Sequence, residues 1–349
     1  MNPLLLIFLL ATFSFLFAFT VTPILTHFLY KYRAKKIIRD ESETPIFSKL
    51  HQKKAGTPTM GGILIWGTVL IIIIVLYVVK IVFPESSLAQ FSFFSRQETY
   101  LPLGALIASA LVGLVDDIFN IKQKGAHGGG LRVRHRLIIF ACIALVGAWW
   151  FYTKLDWTTI HVPFVGNFDI GIWYIPLFFF TIIATSFSVN ESDGLDGLAG
   201  GILLSGFAAF AAIALMQGKY DLATFCAVII GALLAFLWYN ITPARFFMGD
   251  TGSMSLGVTL GIVAMLTNSV FLLPIIGFLL VLESLSVILQ IIWKKFFKKK
   301  LFLSAPFHHH LEAIGWSESK IVMRLWIIAG VSAVVGVIFA IIDFSQLYG

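Results

Sequence analysis

The stretch "FFFTIIATSFSVNESDGLDG", residues 178–197, decides the fold. Its first twelve positions carry no charge and are rich in phenylalanine, isoleucine and threonine, while its last eight hold Glu191, Asp193 and Asp196. A run this apolar is stable only inside a core or in lipid, and its abrupt acidic end marks where the chain meets water. Composition decides between the two. Of 349 residues, 58% are hydrophobic and 12% are charged, and the mean hydropathy is +0.92. A soluble protein of this length needs roughly a quarter of its residues charged to cover its surface. The chain therefore reads as all-α, a polytopic integral membrane protein forming a single transmembrane domain over residues 1–349.

Runs long enough to span, about 20 residues at 1.5 Å per residue, occur at Leu4–Leu29, Met60–Val79, Leu101–Val115, Leu137–Tyr152, Ile170–Val189, Leu198–Met216, Leu222–Tyr239, Met254–Thr267, Phe271–Trp293 and Ile321–Ile342. About ten transmembrane helices are expected. The first run lacks a basic segment before it and a small-residue cleavage site after it, so it reads as a span and not as a removable signal peptide. Cys142 and Cys226 lie inside apolar runs and read as small buried hydrophobes. No solenoid period and no separate soluble domain is expected, because the polar loops are too short to bury a core.

Basic residues orient the chain. Lys31, Arg33, Lys35, Lys36, Arg39, Lys49, Lys53 and Lys54 follow the first span, Lys122, Lys124, Arg132, Arg134 and Arg136 the third, and Lys294, Lys295, Lys298, Lys299 and Lys300 the ninth. These loops are expected to be cytoplasmic, with both termini outside. The same odd-numbered loops hold "KKAGTPTMGG", "VDDIFN", "NESDGLDG", "YNITPARFFMGDTGS" and "APFHHHLE". All the unusual polar chemistry thus falls on one face. Five unpaired aspartates at mid-bilayer would cost more than about 10 kcal/mol, so they are expected at the boundary.

Asp116 and Asp117 end the third span, and adjacent helical residues point about 100° apart. One can face a metal and the other a substrate or a structural donor. Asn190, Asp193 and Asp196 line one side if the fifth helix continues through them, or form a loop of close backbone approach if Gly194 and Gly197 break it. Asp250 sits between glycine-containing turns before the eighth span, with Asn240 upstream. Thr251 or Ser253 could cap that helix, and its first-turn N–H groups make an anion site. Lys54 and Thr59 flank a glycine-rich entry to the second span and suit phosphate or carbonyl oxygens.

His308, His309 and His310 are consecutive, so they cannot all face one ion, and no spaced His or Cys completes a zinc tetrahedron. Imidazoles donating hydrogen bonds beside phosphates fit better. Carboxylates at a membrane boundary with Lys and His nearby describe a hard-cation site, and Mg²⁺ is held by one or two carboxylates plus substrate phosphates. The chemistry implied is phosphate transfer involving a lipid.

The motifs "KKAGTPTMGG", "VDDIF", "NESDGLDGLAGG", "FLWYN", "FMGDTGS", "LSVILQ" and "APFHHHLEAIGW" together resemble the phospho-N-acetylmuramoyl-pentapeptide transferases, the MraY family of polyprenyl-phosphate sugar-1-phosphate transferases. The resemblance runs from the second span to the last. It implies ten transmembrane helices in the bacterial cytoplasmic (inner) membrane with the active site on the cytoplasmic face. It implies transfer of phospho-MurNAc-pentapeptide from UDP-MurNAc-pentapeptide to undecaprenyl phosphate, giving lipid I and UMP, with Mg²⁺ required. Asp116, Asp117 and Asp250 resemble the family's Mg²⁺ and catalytic carboxylates. Lys54, Asn190, Asp193, Asp196, Asn240 and Phe247 resemble its nucleotide-side contacts, with Thr59 a further substrate contact. His308 would act in catalysis, and His309 and His310 would neighbour the sugar-phosphate. Membrane lipid and a homodimer partner are compatible with the resemblance, and nucleic acid is not expected.

The chain departs from the family pattern at several positions. Phe187 stands for Asn, Glu191 for Leu, Ser192 for Thr, Phe119 for Tyr, and Arg136 for a Lys after "GGGL". Two rival readings are a related UDP-N-acetylhexosamine transferase and a membrane transporter or flippase. A transporter places its acids near mid-membrane, whereas here only Glu283 sits deep in an apolar run, after Pro274 and Gly277.

Overall fold

The computed structural model describes residues 2–32, 34, 54, 56–95, 98–124 and 129–348. The basic residues Arg33, Lys35, Lys36, Arg39, Lys49 and Lys53 lie outside the described residues. The helices are α1 (Pro3–Lys31), α2 (Gly62–Val82), α3 (Tyr100–Ile121), α4 (Val133–Lys154), α5 (Tyr174–Ser192), α6 (Leu198–Met216), α7 (Tyr220–Asn240), α8 (Asp250–Leu266), α9 (Leu273–Ile276), α10 (Phe278–Phe297), α11 (Phe307–Ala313) and α12 (Glu318–Tyr348). Every apolar run except Phe271–Trp293 falls on a single helix. Among the described residues eight helices, α1 to α7 and α12, are long and apolar enough to cross a membrane. α8 is shorter, at 17 residues, and α10 carries Glu283, Lys294 and Lys295 within 20. The chain is an all-α integral membrane protein.

Two details differ from the sequence reading. The run Phe271–Trp293 is not one helix: α9 stops at Gly277, which lies outside helical geometry at φ −95°, ψ 34°, and α10 begins at the next residue. Cys142 is exposed on the outer side of α4, while Cys226 is buried in α7. An apolar run in lipid has two environments, and only packing decides which one a residue faces.

Between α4 and α5 lies a hairpin that hydropathy does not reveal, β1 (Thr159–Val162) antiparallel to β2 (Gly166–Asp169), with Thr159 opposite Asp169 and Val162 opposite Gly166. Asp343 near the end of α12 fastens it. One carboxylate oxygen accepts from Phe164 N at 2.7 Å and the other meets His161 Nε2 at 2.5 Å.

α7 is the most enclosed span, with 78% of its apolar window buried, against 22% for α1 and α12. α1 and α6 pack along α7, α3 and α5 along α8, and α12 along α6. Lipid is as apolar as leucine, so helices associate through close packing of small residues and interhelical hydrogen bonds. A Cβ on Gly257 of α8 would lie 2.6 Å from Thr185 O of α5, and Ser14 Oγ of α1 donates to Val228 O of α7 at 2.7 Å. Phe8, Leu16 and Ile24 of α1 and Ile327, Val331 and Val334 of α12 stay exposed, as lipid-facing residues must.

This arrangement gathers the C-termini of α3, α5 and α7 with the N-termini of α2, α6, α8 and α12 at one end of the bundle. At the other end a cavity of about 450 Å³ lies between the hairpin and the ends of α6, α8 and α12, lined by His161, Gln217, Lys219, Asn268 and Asp343. Burial pushes the Lys219 ammonium down to about 8.

Candidate active site

The site is built on the start of α8. Gly249, at φ 74°, ψ 172°, precedes the helix and supplies no side-chain cap. Asp117, 4% exposed, takes that role across the bundle: its Oδ1 accepts from Asp250 N at 3.2 Å and its Oδ2 from Thr251 N at 3.1 Å. A carboxylate at a helix N-terminus meets the positive end of the dipole and satisfies amides that have no partner within the helix. The caps expected from the sequence are otherwise engaged. Thr251 Oγ1 donates to Ala110 O at 2.8 Å and Ser253 Oγ to Gly249 O at 3.0 Å. The anion site anticipated there is filled by the protein's own Asp117.

Asp116, one residue earlier on α3 and 2% exposed, faces elsewhere, as helical geometry requires. Its Oδ1 accepts from Leu131 N. Its Oδ2 lies 3.4 Å from Arg136 Nη1, the same nitrogen that donates to Asp250 Oδ2 at 2.8 Å. Asp250 Oδ1 accepts from Asn190 Nδ2 at 2.8 Å, and that amide also reaches Ser253 Oγ at 3.0 Å. Three helices and one arginine thus bring two carboxylates together.

α5 ends at Ser192, and Gly197 adopts a left-handed φ of 82° to start α6, so the looped alternative holds. Asn190, Asp193 and Asp196 consequently serve three different partners. Asp193 accepts from Gly249 N at 3.2 Å. Asp196, 4% exposed, accepts from Lys54 Nζ at 2.7 Å and from Ala244 N at 3.1 Å. Lys54 is also paired with Glu318 Oε1, which accepts from Asp196 N at 2.7 Å as well, and its ammonium stands 5.9 Å from the centre of the Phe247 ring.

The backbone around Phe247 pairs with the entry to α2. Phe247 N donates to Pro58 O, and Gly61 N donates to Phe247 O, each at 2.8 Å. Thr59 is buried against Gly249, where a Cβ would lie 2.7 Å from its hydroxyl. Asn240 acts as a cross-link: Oδ1 accepts from Gly197 N at 2.9 Å and Nδ2 donates to Phe246 O at 2.8 Å. Expected as a substrate contact, it has each end of its amide bonded to a wall of the site.

The three histidines do not stay together: the rings of His308 and His309 lie 4.1 Å apart beside Gly194, while His310 turns away. His308 is fully buried, with Nδ1 3.0 Å from Glu283 Oε2 and its ring edge packed against Gly194. His309 Nδ1 meets Glu312 Oε2 at 2.6 Å. His310 packs against Phe302 and Phe307, and its Nδ1 accepts from Leu303 N at 3.3 Å. The first two flank the acidic turn, while the third holds the loop before α11.

Glu318, the pairing of Glu283 with His308 and the bridging role of Arg136 were missed in the sequence. Glu318 had one signal, an acid in the first turn of the last helix on the same face as Lys54, but helix-dipole pairing explains such an acid equally well. Glu191, the departure from leucine, finds a partner in Ser284 Oγ at 2.8 Å, which also contacts Ser188 Oγ at 2.7 Å.

Comparison with known proteins gives the family. A family model described as glycosyl transferase family 4 matches residues 99–268, and the phospho-N-acetylmuramoyl-pentapeptide-transferase signature 1 matches residues 54–65. Curated proteins named phospho-N-acetylmuramoyl-pentapeptide-transferase are similar over nearly the whole chain. That of Geobacillus sp. (strain WCH70) is 38% identical over 325 residues, 93% of this chain and 94% of that protein. That of Chloroflexus aggregans is 35% identical, covering 96% and 89%, and that of Bacillus subtilis (strain 168) is 39% identical, covering 93% and 94%. With its motifs gathered into one site and its likeness extending from end to end, the chain belongs to the phospho-N-acetylmuramoyl-pentapeptide-transferase family.

Proposed function

We propose that this protein transfers phospho-MurNAc-pentapeptide from UDP-MurNAc-pentapeptide to undecaprenyl phosphate, releasing UMP and forming lipid I. The observation that carries the reading is the convergence of Asp116 and Asp250 on Arg136, beside Lys54 and Phe247, at one end of a membrane bundle. A nucleotide diphosphate needs cations and an aromatic face, and an acceptor lipid needs a site level with the membrane surface. The positive-inside loops support a cytoplasmic site with both termini outside.

Mg²⁺ fits the donor set. Among the described residues no three His, Cys, Asp or Glu side chains form a cage; Asp116 and Asp250 offer hard oxygens in pair, and Mg²⁺ in such sites takes the rest of its shell from phosphates and water. Asp116 and Asp250 would hold it, with Asp117 fixing the start of α8 beneath them. When bound, the ion neutralises charge on the diphosphate. An oxygen of the lipid phosphate attacks the β-phosphorus of the donor, and the bond to the UMP oxygen breaks. That phosphate, with a second pKa near about 6, is mostly ionised at neutral pH, so Asp116 need not remove a proton from it. Lys54 and Phe247 hold the nucleotide half while Asn190 keeps the Asp250 carboxylate turned toward its partner.

The test is UMP release by purified protein given both substrates. Activity is expected with UDP-MurNAc-pentapeptide, is lost on chelation and returns with Mg²⁺. Turnover of UDP-N-acetylglucosamine in its place would move the protein to another branch of the superfamily. Lys54→Met is expected to raise KM for the nucleotide donor about tenfold or more with a smaller change in kcat, because it removes binding shared by ground and transition states. A kcat loss with KM unchanged would contradict that placement.

A further inference from the structure

The two carboxylates at the centre of the site are not merely close. Each turns one oxygen, Asp116 Oδ2 and Asp250 Oδ2, toward the same nitrogen, Nη1 of Arg136. Their other oxygens are held by Leu131 N and by Asn190 Nδ2. The oxygens best placed to share a divalent cation therefore face a guanidinium. Arg136 rises from the first turn of α4 and is 20% exposed, and its Nε is buried with no hydrogen-bond partner. A guanidinium donor without an acceptor is costly, and its planar fork matches phosphate oxygens in bidentate fashion.

We propose that Arg136 is an internal counter-cation that competes with the divalent metal for Asp116 and Asp250 and gives way when the donor's diphosphate draws the guanidinium to itself. This rests on the reading of Asp116 and Asp250 as the metal's holders. The physical basis is charge. Two facing carboxylates repel, and Arg136 offsets that repulsion in the metal-free protein. A dication must displace the arginine from the shared oxygens, whereas a dication arriving with a diphosphate offers the guanidinium a second anion. Metal and nucleotide then bind cooperatively, and each tightens the other by the same factor. Lysine, which the family resemblance places at this position, carries the same charge as a point on a flexible stem and blocks the oxygens less persistently.

The experiment measures Mn²⁺ binding to purified wild-type, Arg136→Lys and Arg136→Ala proteins by electron paramagnetic resonance, with Mn²⁺ alone and with UDP added. In wild type, UDP is expected to tighten Mn²⁺ binding about tenfold or more. Arg136→Ala is expected to bind Mn²⁺ alone about tenfold more tightly than wild type and to lose most of the UDP effect. Arg136→Lys should fall between. Equal or weaker Mn²⁺ binding by Arg136→Ala overturns the proposal. Should the alanine variant fail to fold, Arg136→Gln, which keeps much of the stem, replaces it with the same expected tightening, and equal or weaker binding there overturns the proposal too. Asp116→Asn and Asp250→Asn separate the two readings. If they leave Mn²⁺ binding unchanged, the metal assignment itself fails; if they abolish it while Arg136→Ala changes nothing, only the competition fails.

Discussion

Asp250→Asn lowers the rate of UMP release by about 10²–10³-fold or more while leaving the melting temperature of the purified protein near that of wild type. The catalytic loss follows from position. Asp250 Oδ2 is one of the two oxygens turned to the shared Arg136 nitrogen, so on the proposed reading the amide removes a carboxylate that would hold Mg²⁺ beside the diphosphate. Stability is held because two effects oppose. The helix α8 loses a favourable acid in its first turn, about 0.3–1 kcal/mol, and Asp116 loses a repelling neighbour. Asp116→Asn is expected to behave alike. Asp117→Asn is not, because Asp117 accepts from both Asp250 N and Thr251 N. Losing one charged acceptor there costs about 1–2 kcal/mol, so its melting temperature drops along with its activity. Single-turnover UMP release and thermal melting in detergent separate the three. Near-wild-type turnover by Asp250→Asn would remove it from the site.

Gly113→Val is expected to be the most damaging substitution outside the carboxylates, costing about 3 kcal/mol or more. A Cβ at Gly113 would collide with the Asp250 carbonyl and come within 2.6 Å of Thr251 Cα. Flexible side chains can move aside, but this contact is with backbone. The start of α8 cannot retreat, since Asp117 holds its amides, Thr251 Oγ1 is bonded to Ala110 O, and a Cβ on Gly252 would lie 2.7 Å from Gly62 Cα on the far side. Any variant that does fold carries Asp250 displaced, and a shift of about 1 Å in a reacting group costs about 10²-fold in rate. Gly104 is the control, on the same helix with nothing within 4 Å of a Cβ. Gly104→Val should accumulate and turn over nearly as wild type does. Equal behaviour of the two variants would refute the packing argument.

The carboxylates themselves were legible in the sequence because they are anomalous there. Asp116, Asp117, Asp193, Asp196 and Asp250 interrupt apolar runs that have no other use for charge, and loop alternation put them all on one side of the membrane. Their individual duties were not legible. Asp116 and Asp117 are the same residue at adjacent positions, and only the approach of α8 makes one the partner of Arg136 and the other a helix cap. Asn190, Asp193 and Asp196 share a spacing that would align them on a helix, yet the turn at Gly194 and Gly197 sends them to Ser253 and Asp250, to Gly249, and to Lys54. Glu318 was invisible for the opposite reason, since an acid opening a helix is ordinary until Lys54 is found beside it.

Hydropathy and charge alone determined that this chain is a bundle of membrane helices with its chemistry at one end, because the free energy of placing each run or each charge in lipid depends on local composition. Tertiary structure decided which residue caps, which bridges and which remains for substrate. Those assignments depend on which helices touch, and contact between helices in lipid is set by glycine-scale complementarity and hydrogen bonds across the whole chain, which no local window contains.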